Sequence, residues 1–307
     1  MKDFGPIVPI VTPCRRSGEL DLDSFRSVVQ EMIQAGCKAI FVLGSTGRGP
    51  WFNREDRVRL CRDASDQVRG KLPLIAGVMA SGVPGMLENT HLMADSGAQI
   101  AVATVPGYFK YSPPEIESIY LKFADQSPLP VIVYDIPEFT NTKFDQGMIV
   151  RLARHGNIIG LKDSSADFER FGELIESLQE FPDFYLFQGK ENLIADSLRL
   201  GASGFVVSMI HLDPKPFIGM YRAVQQGEYG WASAIQIEIN QAMRLVRASI
   251  ESRPESSTLF HMLNHALQLR GVCANILLEH DGEAPAWLIE NAGQAIHLCN
   301  RAAQIAR

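Results

Sequence analysis

Three lysines stand where an apolar run gives way to a loop: Lys110, Lys162 and Lys190. Lys162 closes the run Ile158-Ile159-Gly160-Leu161 and is followed at once by Asp163-Ser164-Ser165. The run reads as a short buried strand, and Ser164 or Ser165 as the cap of the next helix. An amine in an enclosed, partly apolar setting gives up its proton more readily, because burial disfavours the charged form. The neutral amine can then attack a ketone and form a Schiff base. A surface lysine closing a strand is the plainer alternative, since most lysines are exposed. Lys110 lies farther into a loop and Lys190 follows a glycine, which leaves Lys162 as the strongest nucleophile of the three.

Hydroxyl groups stand at other strand exits. Gly44-Ser45-Thr46-Gly47 offers two hydroxyls and backbone N–H groups, a nest for a small anion such as a carboxylate; a plain glycine turn is the alternative. Tyr134 closes another apolar run and precedes Asp135-Ile136-Pro137, and Tyr108 precedes Phe109. Either tyrosine can pass a proton to or from a substrate hydroxyl, although buried tyrosines are often structural. Gly189-Lys190-Glu191 and Ser208 mark two later exits. Arg48, two residues beyond the hydroxyl pair, has a guanidinium suited to carboxylate or phosphate. Its alternative is a surface ion pair with Glu55 or Asp56 of the following helix.

Eight strand–helix units are needed to carry these exits. Apolar runs at 7–11, 38–43, 72–78, 99–103, 130–134, 158–161, 184–188 and 204–208 read as strands. Helical patterns lie between them, the first running from Asp21 to Gly36, and others at 53–68, 84–96, 113–126, 145–154, 167–179 and 192–200, with the eighth at 214–226. Pro9 removes one ladder hydrogen bond, so a short or strained first strand is expected. Ala35-Gly36-Cys37, Ser96-Gly97-Ala98 and Leu200-Gly201-Ala202 repeat one junction, with glycine in the left-handed cap. Continuous apolar strands suit a sheet buried on both faces. The pattern predicts an α/β fold, one (β/α)8 TIM barrel over 1–228, in preference to an open doubly wound sheet, which lacks its glycine fingerprint here. Helices at 231–252, 255–269 and 285–305 then form a C-terminal helical extension over 229–307. Active sites of such barrels lie at the C-terminal ends of the strands, where all the residues above fall.

The 307 residues carry a formal net charge of −6, with no basic block, so nucleic acid is not an expected partner. No apolar run is long enough to span a membrane, and Asp3 and the prolines interrupt any signal-peptide core. Cys14, Cys37, Cys61, Cys273 and Cys299 have no metal-ligand spacing and read as reduced thiols of a cytoplasmic protein. No metal site and no cofactor are expected.

Taken together, Gly44-Ser45-Thr46-Gly47, Pro106-Gly107-Tyr108, Tyr134-Asp135-Ile136-Pro137 and Gly160-Leu161-Lys162-Asp163 resemble the dihydrodipicolinate synthase / N-acetylneuraminate lyase family of pyruvate-dependent class I aldolases. The resemblance implies that Lys162 forms the Schiff base with a 2-oxo acid and that Tyr134 shuttles a proton and orients the carboxylate. It implies that Ser45 and Thr46 hold that carboxylate, with Thr46 and Tyr108 in a hydroxyl relay, Tyr108 being supplied across a subunit boundary. Backbone at Val206 would touch the pyruvyl group, and Ser164, Glu191 and Ser208 would meet the rest of the substrate. A homo-oligomer, dimer or tetramer, is also implied. The chain departs from the family's pattern at Arg48, where an acid is usual, and at Phe139, where the synthases carry an arginine that recognises the second substrate. His211 and Asn192 also depart. Lys162-Asp163-Ser164-Ser165 is closer to relatives acting on 2-keto-3-deoxy sugar acids or hydroxy-oxo acids.

The expected activity is cleavage or condensation of a 2-oxo acid to or from pyruvate and an aldehyde. A Schiff-base sugar-acid dehydratase and a dihydrodipicolinate synthase are the alternatives within this chemistry. A non-catalytic barrel that binds an oxo acid is the alternative outside it, against which the joint presence of Lys162, Tyr134, Tyr108 and Thr46 argues.

Overall fold

The computed structural model of the chain describes residues 2–306. Strands and helices alternate: β1 (Gly5–Pro9), α1 (Leu22–Ala35), β2 (Ala39–Val42), α2 (Arg54–Val68), β3 (Leu74–Gly77), α3 (Val83–Ala94), β4 (Ile100–Ala103) and α4 (Pro113–Gln126). They continue as β5 (Val131–Asp135), a short α5 (Pro137–Thr140), α6 (Gln146–Ala153), β6 (Ile158–Asp163), α7 (Phe168–Ser177), β7 (Tyr185–Gln188), α8 (Ile194–Leu200) and β8 (Gly204–Val206). The eight strands close into one parallel barrel in sequence order, with β8 returning to β1 through the pairs Gly5–Gly204 and Ile7–Val206. This is the (β/α)8 barrel that the spacing predicts.

Among the described residues the chain forms two compact units, the segment up to Ile10 with Lys38–Val207, and Val11–Cys37 with the segment from Ser208 onward. The first holds the barrel strands. Ile7, Phe41, Ile75, Val102, Ile132 and Phe187 fill the barrel interior. Apolar filling of this kind is what makes the strands read as unbroken hydrophobic runs. The second unit holds α1 and the helices α9 (Pro214–Gln225), α10 (Tyr229–Ser252), α11 (Ser256–Leu269) and α12 (Ala286–Ile305). Within it Trp231 Nε1 donates to the Ile305 carbonyl at 2.6 Å, and Arg270 reaches both Glu31 and the His211 carbonyl. Met1 and Arg307, the outer ends of the expected 1–228 and 229–307 division, lie outside the described residues.

Local chemistry explains most boundaries. The Asp21 carboxylate accepts from the Ser24 amide at 3.1 Å and starts α1. Gly36, Gly97 and Gly201 have φ of 101°, 99° and 105°, the left-handed geometry that a Cβ resists. β1 begins two residues before the expected strand and stops at Pro9, which sits last, where its missing donor costs least. The cap of α7 is Asp167, whose carboxylate accepts from the Arg170 amide at 3.0 Å, and not Ser164 or Ser165. Those serines belong to the strand exit instead: the Ser164 amide donates to the Asp135 carbonyl at 2.9 Å, and the Ser165 amide to the Asp163 carboxylate at 2.8 Å.

Candidate active site

β6 runs two residues beyond the apolar run, so Lys162 lies inside the strand and not after it. The pairing of β5 with β6 slips between Val131 and Ile132, and after the slip Tyr134 pairs with Lys162 and Asp135 with Asp163. Ile159 packs against the interior cluster and Lys162 lines the same interior. A regular strand puts residues three apart on opposite faces, so this irregularity is what turns Lys162 inward.

Lys162 lines a narrow cavity together with Ile7, Phe41, Ile75, Val102, Ile132, Phe187 and Val206. The residue is 6% exposed. Its Nζ lies 4.0 Å from the centre of the Tyr134 ring and 5.7 Å from that of Phe41. Tyr134 is itself buried, in the same cluster. An enclosed lysine beside a tyrosine at the C-terminal end of parallel strands can supply a nucleophilic amine and a group able to pass a proton. The other two lysines do not compete. Lys110 is exposed, and Lys190 Nζ pairs with Glu138 at 3.4 Å, tying the β7 exit to α5.

Ser45 and Thr46 lie in the turn leaving β2, with Thr46 buried and Ser45 half-buried. The turn is closed by the Arg48 amide on the Ser45 carbonyl and the Gly49 amide on the Gly44 carbonyl, both 3.1 Å. It is built on an unusual backbone. Leu43, a buried leucine, has φ of 60°, and Arg48 has φ of 51°. The Leu43 carbonyl consequently fills the places where side chains would begin at Gly49 and Gly77: a Cβ added there would sit 1.9 and 2.1 Å from that oxygen. Arg48 is half-buried; Asp56, one of its two expected partners, is 3.4 Å from Arg59.

Val206 closes the cavity from β8, and Ser164 is buried against Gly189 of the β7 exit. Glu191 is half-buried and opens a 3-10 turn at the same exit. Ser208 opens a 3-10 turn in the second unit. Tyr108 stands apart from the enclosed set: it has φ of 85°, is 92% exposed, and meets Phe109 edge to face at 4.9 Å. Thus the structure gathers Lys162 and Val206 in one cavity, brings the Tyr134 ring to the Lys162 amine, and leaves Tyr108 exposed.

Residues that the motifs alone did not single out lie directly behind. Arg170 Nη2 donates to Asp135 at 2.7 Å and Nη1 to Asp163 at 3.4 Å, all three buried. Burial pushes the Asp135 carboxyl up to about 6; the Asp163 charge adds to the rise and the Arg170 guanidinium opposes it. Burial also raises the Tyr120 phenol well above its ordinary value, and the Asp135 charge adds to that. Two acids ending adjacent buried strands were a readable signal that a cation had to meet them. By contrast the cysteines are spectators. Burial raises Cys61 and Cys299 to about 12 and Cys273 to about 11, which removes thiolate character at neutral pH. Among the described residues no group of three or more His, Cys, Asp or Glu side chains is placed to hold a metal, and no helix is long and apolar enough to cross a membrane.

A buried lysine inside a closed parallel barrel fits the class I aldolases and lyases, and the comparisons point to the same class. The chain belongs to the dihydrodipicolinate synthetase family, whose model matches residues 3–279. It is 34% identical to a 4-hydroxy-tetrahydrodipicolinate synthase of Dechloromonas aromatica over 76% of this chain and 80% of that one. It is 27% identical to a probable 2-dehydro-3-deoxy-D-pentonate aldolase of Escherichia coli, over 92% of this chain and 95% of that one. The crystal structure of a dihydrodipicolinate synthase from Bacillus anthracis superposes with a TM-score of 0.85 at 26% identity, covering 97% and 99% of the two chains. A prophage protein of the same family from Escherichia coli, solved in complex with pyruvate, has a TM-score of 0.84 at 22% identity, with 97% and 98% covered.

Proposed function

We propose that this enzyme cleaves a 2-oxo acid, of the 2-keto-3-deoxy sugar acid or hydroxy-oxo acid type, into pyruvate and an aldehyde through an imine on Lys162. The observation that carries the reading is the Lys162 amine, enclosed in the barrel cavity 4.0 Å from the Tyr134 ring. The amine adds to the C2 carbonyl, and loss of water gives the imine. With the imine protonated, the C3–C4 bond breaks, its electron pair moves toward nitrogen, and the C4 hydroxyl loses its proton to leave as the aldehyde. The enamine takes a proton at C3, and water releases pyruvate and restores the amine. The imine is the electron sink, so neither metal nor cofactor is required.

Tyr134 is the proton shuttle in this scheme, with Thr46 and Tyr108 completing the relay. Ser45 and Thr46 receive the substrate carboxylate, and Val206 supports the pyruvyl carbons. Ser164, Glu191 and Arg48 meet the distal part. The exposure of Tyr108 supports a partner subunit as the place where it acts, hence a homodimer or homotetramer. We place the enzyme in the cytoplasm, its barrel sequence ending near residue 228. The likeness to a family member solved with pyruvate supports the choice of oxo acid.

Borohydride reduction with pyruvate tests the reading, and should add a pyruvyl mass to Lys162. An adduct on Lys190 or Lys110, or none, refutes it. Product analysis with a panel of 2-oxo acids then separates cleavage from dehydration: an aldehyde co-product supports cleavage, whereas an intact carbon skeleton short of one water shows a dehydratase.

A further inference from the structure

Tyr134 and Lys162 are paired neighbours on β5 and β6, and each is followed by an aspartate. Alternation along a strand turns Asp135 and Asp163 to the face opposite the cavity. There α7 supplies Arg170, whose two terminal nitrogens bond different carboxylates: Nη2 donates to Asp135 Oδ2 at 2.7 Å, and Nη1 to Asp163 Oδ2 at 3.4 Å and Oδ1 at 3.5 Å. Asp135 is fully buried, and Asp163 and Arg170 are 2% and 7% exposed. Tyr120, on α4, is a further titratable group on this side, its phenol raised by burial and by the Asp135 charge.

Buried ions of this kind are a poor source of stability. Apolar residues of the same volume are often as good or better, because two carboxylates and one guanidinium must all leave water. Moreover, Asp135 Oδ1 and Arg170 Nε are buried without a hydrogen-bond partner. What the cluster does supply is geometry. A guanidinium is a rigid planar fork, so holding one carboxylate with each terminal nitrogen fixes the distance between the two strand ends. The surrounding bonds extend that constraint. The Ser164 amide meets the Asp135 carbonyl at 2.9 Å, and the Gly189 amide meets the Asp163 carbonyl at 2.8 Å. The Ser165 amide meets the Asp163 carboxylate at 2.8 Å.

We propose that the Asp135–Arg170–Asp163 bridge is a positioning device, which locks the ends of β5 and β6 so that Tyr134 and Lys162 keep the alignment their proton transfers require. Arg170 never touches substrate and acts only through the two strand ends. The inference rests on the Schiff-base reading of Lys162. Misalignment of reacting groups by about 1 Å can cost on the order of a hundredfold in rate, whereas the strands need not come apart for this to happen.

The test uses the full chain and pyruvate alone. Enamine formation exchanges the methyl protons of pyruvate for deuterium, which is read by NMR. Arg170→Lys keeps the charge and loses the fork. The exchange rate at saturating pyruvate should fall roughly ten- to a hundredfold, with the half-saturating pyruvate concentration changed by less than about threefold. Methylguanidinium at low concentration should restore part of the rate to Arg170→Ala, since it can occupy the vacated space between the carboxylates. A folded Arg170→Lys that exchanges at the parental rate would overturn the proposal and leave a structural staple. Loss that appears only as weaker pyruvate saturation would overturn it too. If neither arginine variant folds, Asp163→Asn, which is isosteric, decides by the same two measurements. The parent chain is trapped with borohydride first: no adduct at Lys162 removes the underlying reading, and is seen before any variant is made.

Discussion

Replacing Asp135 by asparagine should change how stability depends on pH. The carboxyl is fully buried, and its pKa rises from 3.8 to about 6, chiefly through burial. In the unfolded chain it returns to the ordinary aspartate range. Between roughly pH 4 and 6, therefore, the folded state holds the proton that the unfolded state has released. The stabilising contribution of the protonated acid is complete below the unfolded pKa and is lost as pH rises through the folded one. A shift of about two units corresponds to roughly 3 kcal/mol. Asparagine has no such proton. The difference in unfolding free energy, variant minus parent, should thus move in favour of asparagine by about 2 kcal/mol between pH 4 and pH 7. Other carboxylates cancel in that difference to first order. Urea unfolding of both proteins, at one fixed concentration so that any subunit association contributes equally, gives the comparison directly. A difference that stays flat across this window, or moves against asparagine, would refute the account of Asp135 as an acid held up by burial.

Three further outcomes are expected. Arg48→Ala should raise KM for a 2-oxo acid with an acidic distal end by roughly ten- to a hundredfold, the value of one charge-assisted contact of about 1.5–3 kcal/mol, while pyruvate exchange is unchanged; equal kinetics on both leaves a surface arginine. Dialysis against a chelator should leave aldol cleavage intact, and loss restored by one particular divalent ion would contradict the imine as electron sink. Gly77→Ala should lower stability by about 3 kcal/mol, because its Cβ would lie 2.1 Å from the Leu43 carbonyl oxygen; a thermal midpoint equal to the parent's would show that the β2 exit can relax.

Much of this was legible in the sequence for identifiable reasons. The strands are buried on both faces, so each appears as an unbroken apolar run, and three glycine junctions mark where helices end. Lys162 was found because it interrupts one such run at the end where barrel sites form. The strand boundary was less legible. Nothing in Lys162-Asp163 announces that β6 continues through both, because that depends on the register with Tyr134-Asp135 of β5. The helix cap was misplaced for a related reason. Ser164 and Ser165 have the composition of a cap, but their amides are engaged with the strand ends, and Asp167 caps α7. Arg170 has no sequence signature of its own on α7, since only the tertiary fold brings two buried carboxylates to it. Short α5 escaped notice because Pro137-Glu138-Phe139-Thr140 is too brief to show a period.

The carbonyl of Leu43 has a consequence for how this chain can change over time. The turn that carries Ser45 and Thr46 owes its path to a left-handed leucine, and that leucine is accommodated only because β3 presents no side chain at Gly77 and the turn none at Gly49. The three positions therefore form one inherited unit. A mutation on β3, a strand that supplies none of the proposed catalytic groups, would be felt first in the shape of the proposed hydroxyl nest one strand away. Drift at Gly77 should be tolerated only alongside a compensating change at position 43 that returns its backbone to an ordinary conformation. Such a pair would redraw the nest without touching either hydroxyl, which gives descendants of this barrel a route to new substrates through residues that never meet one.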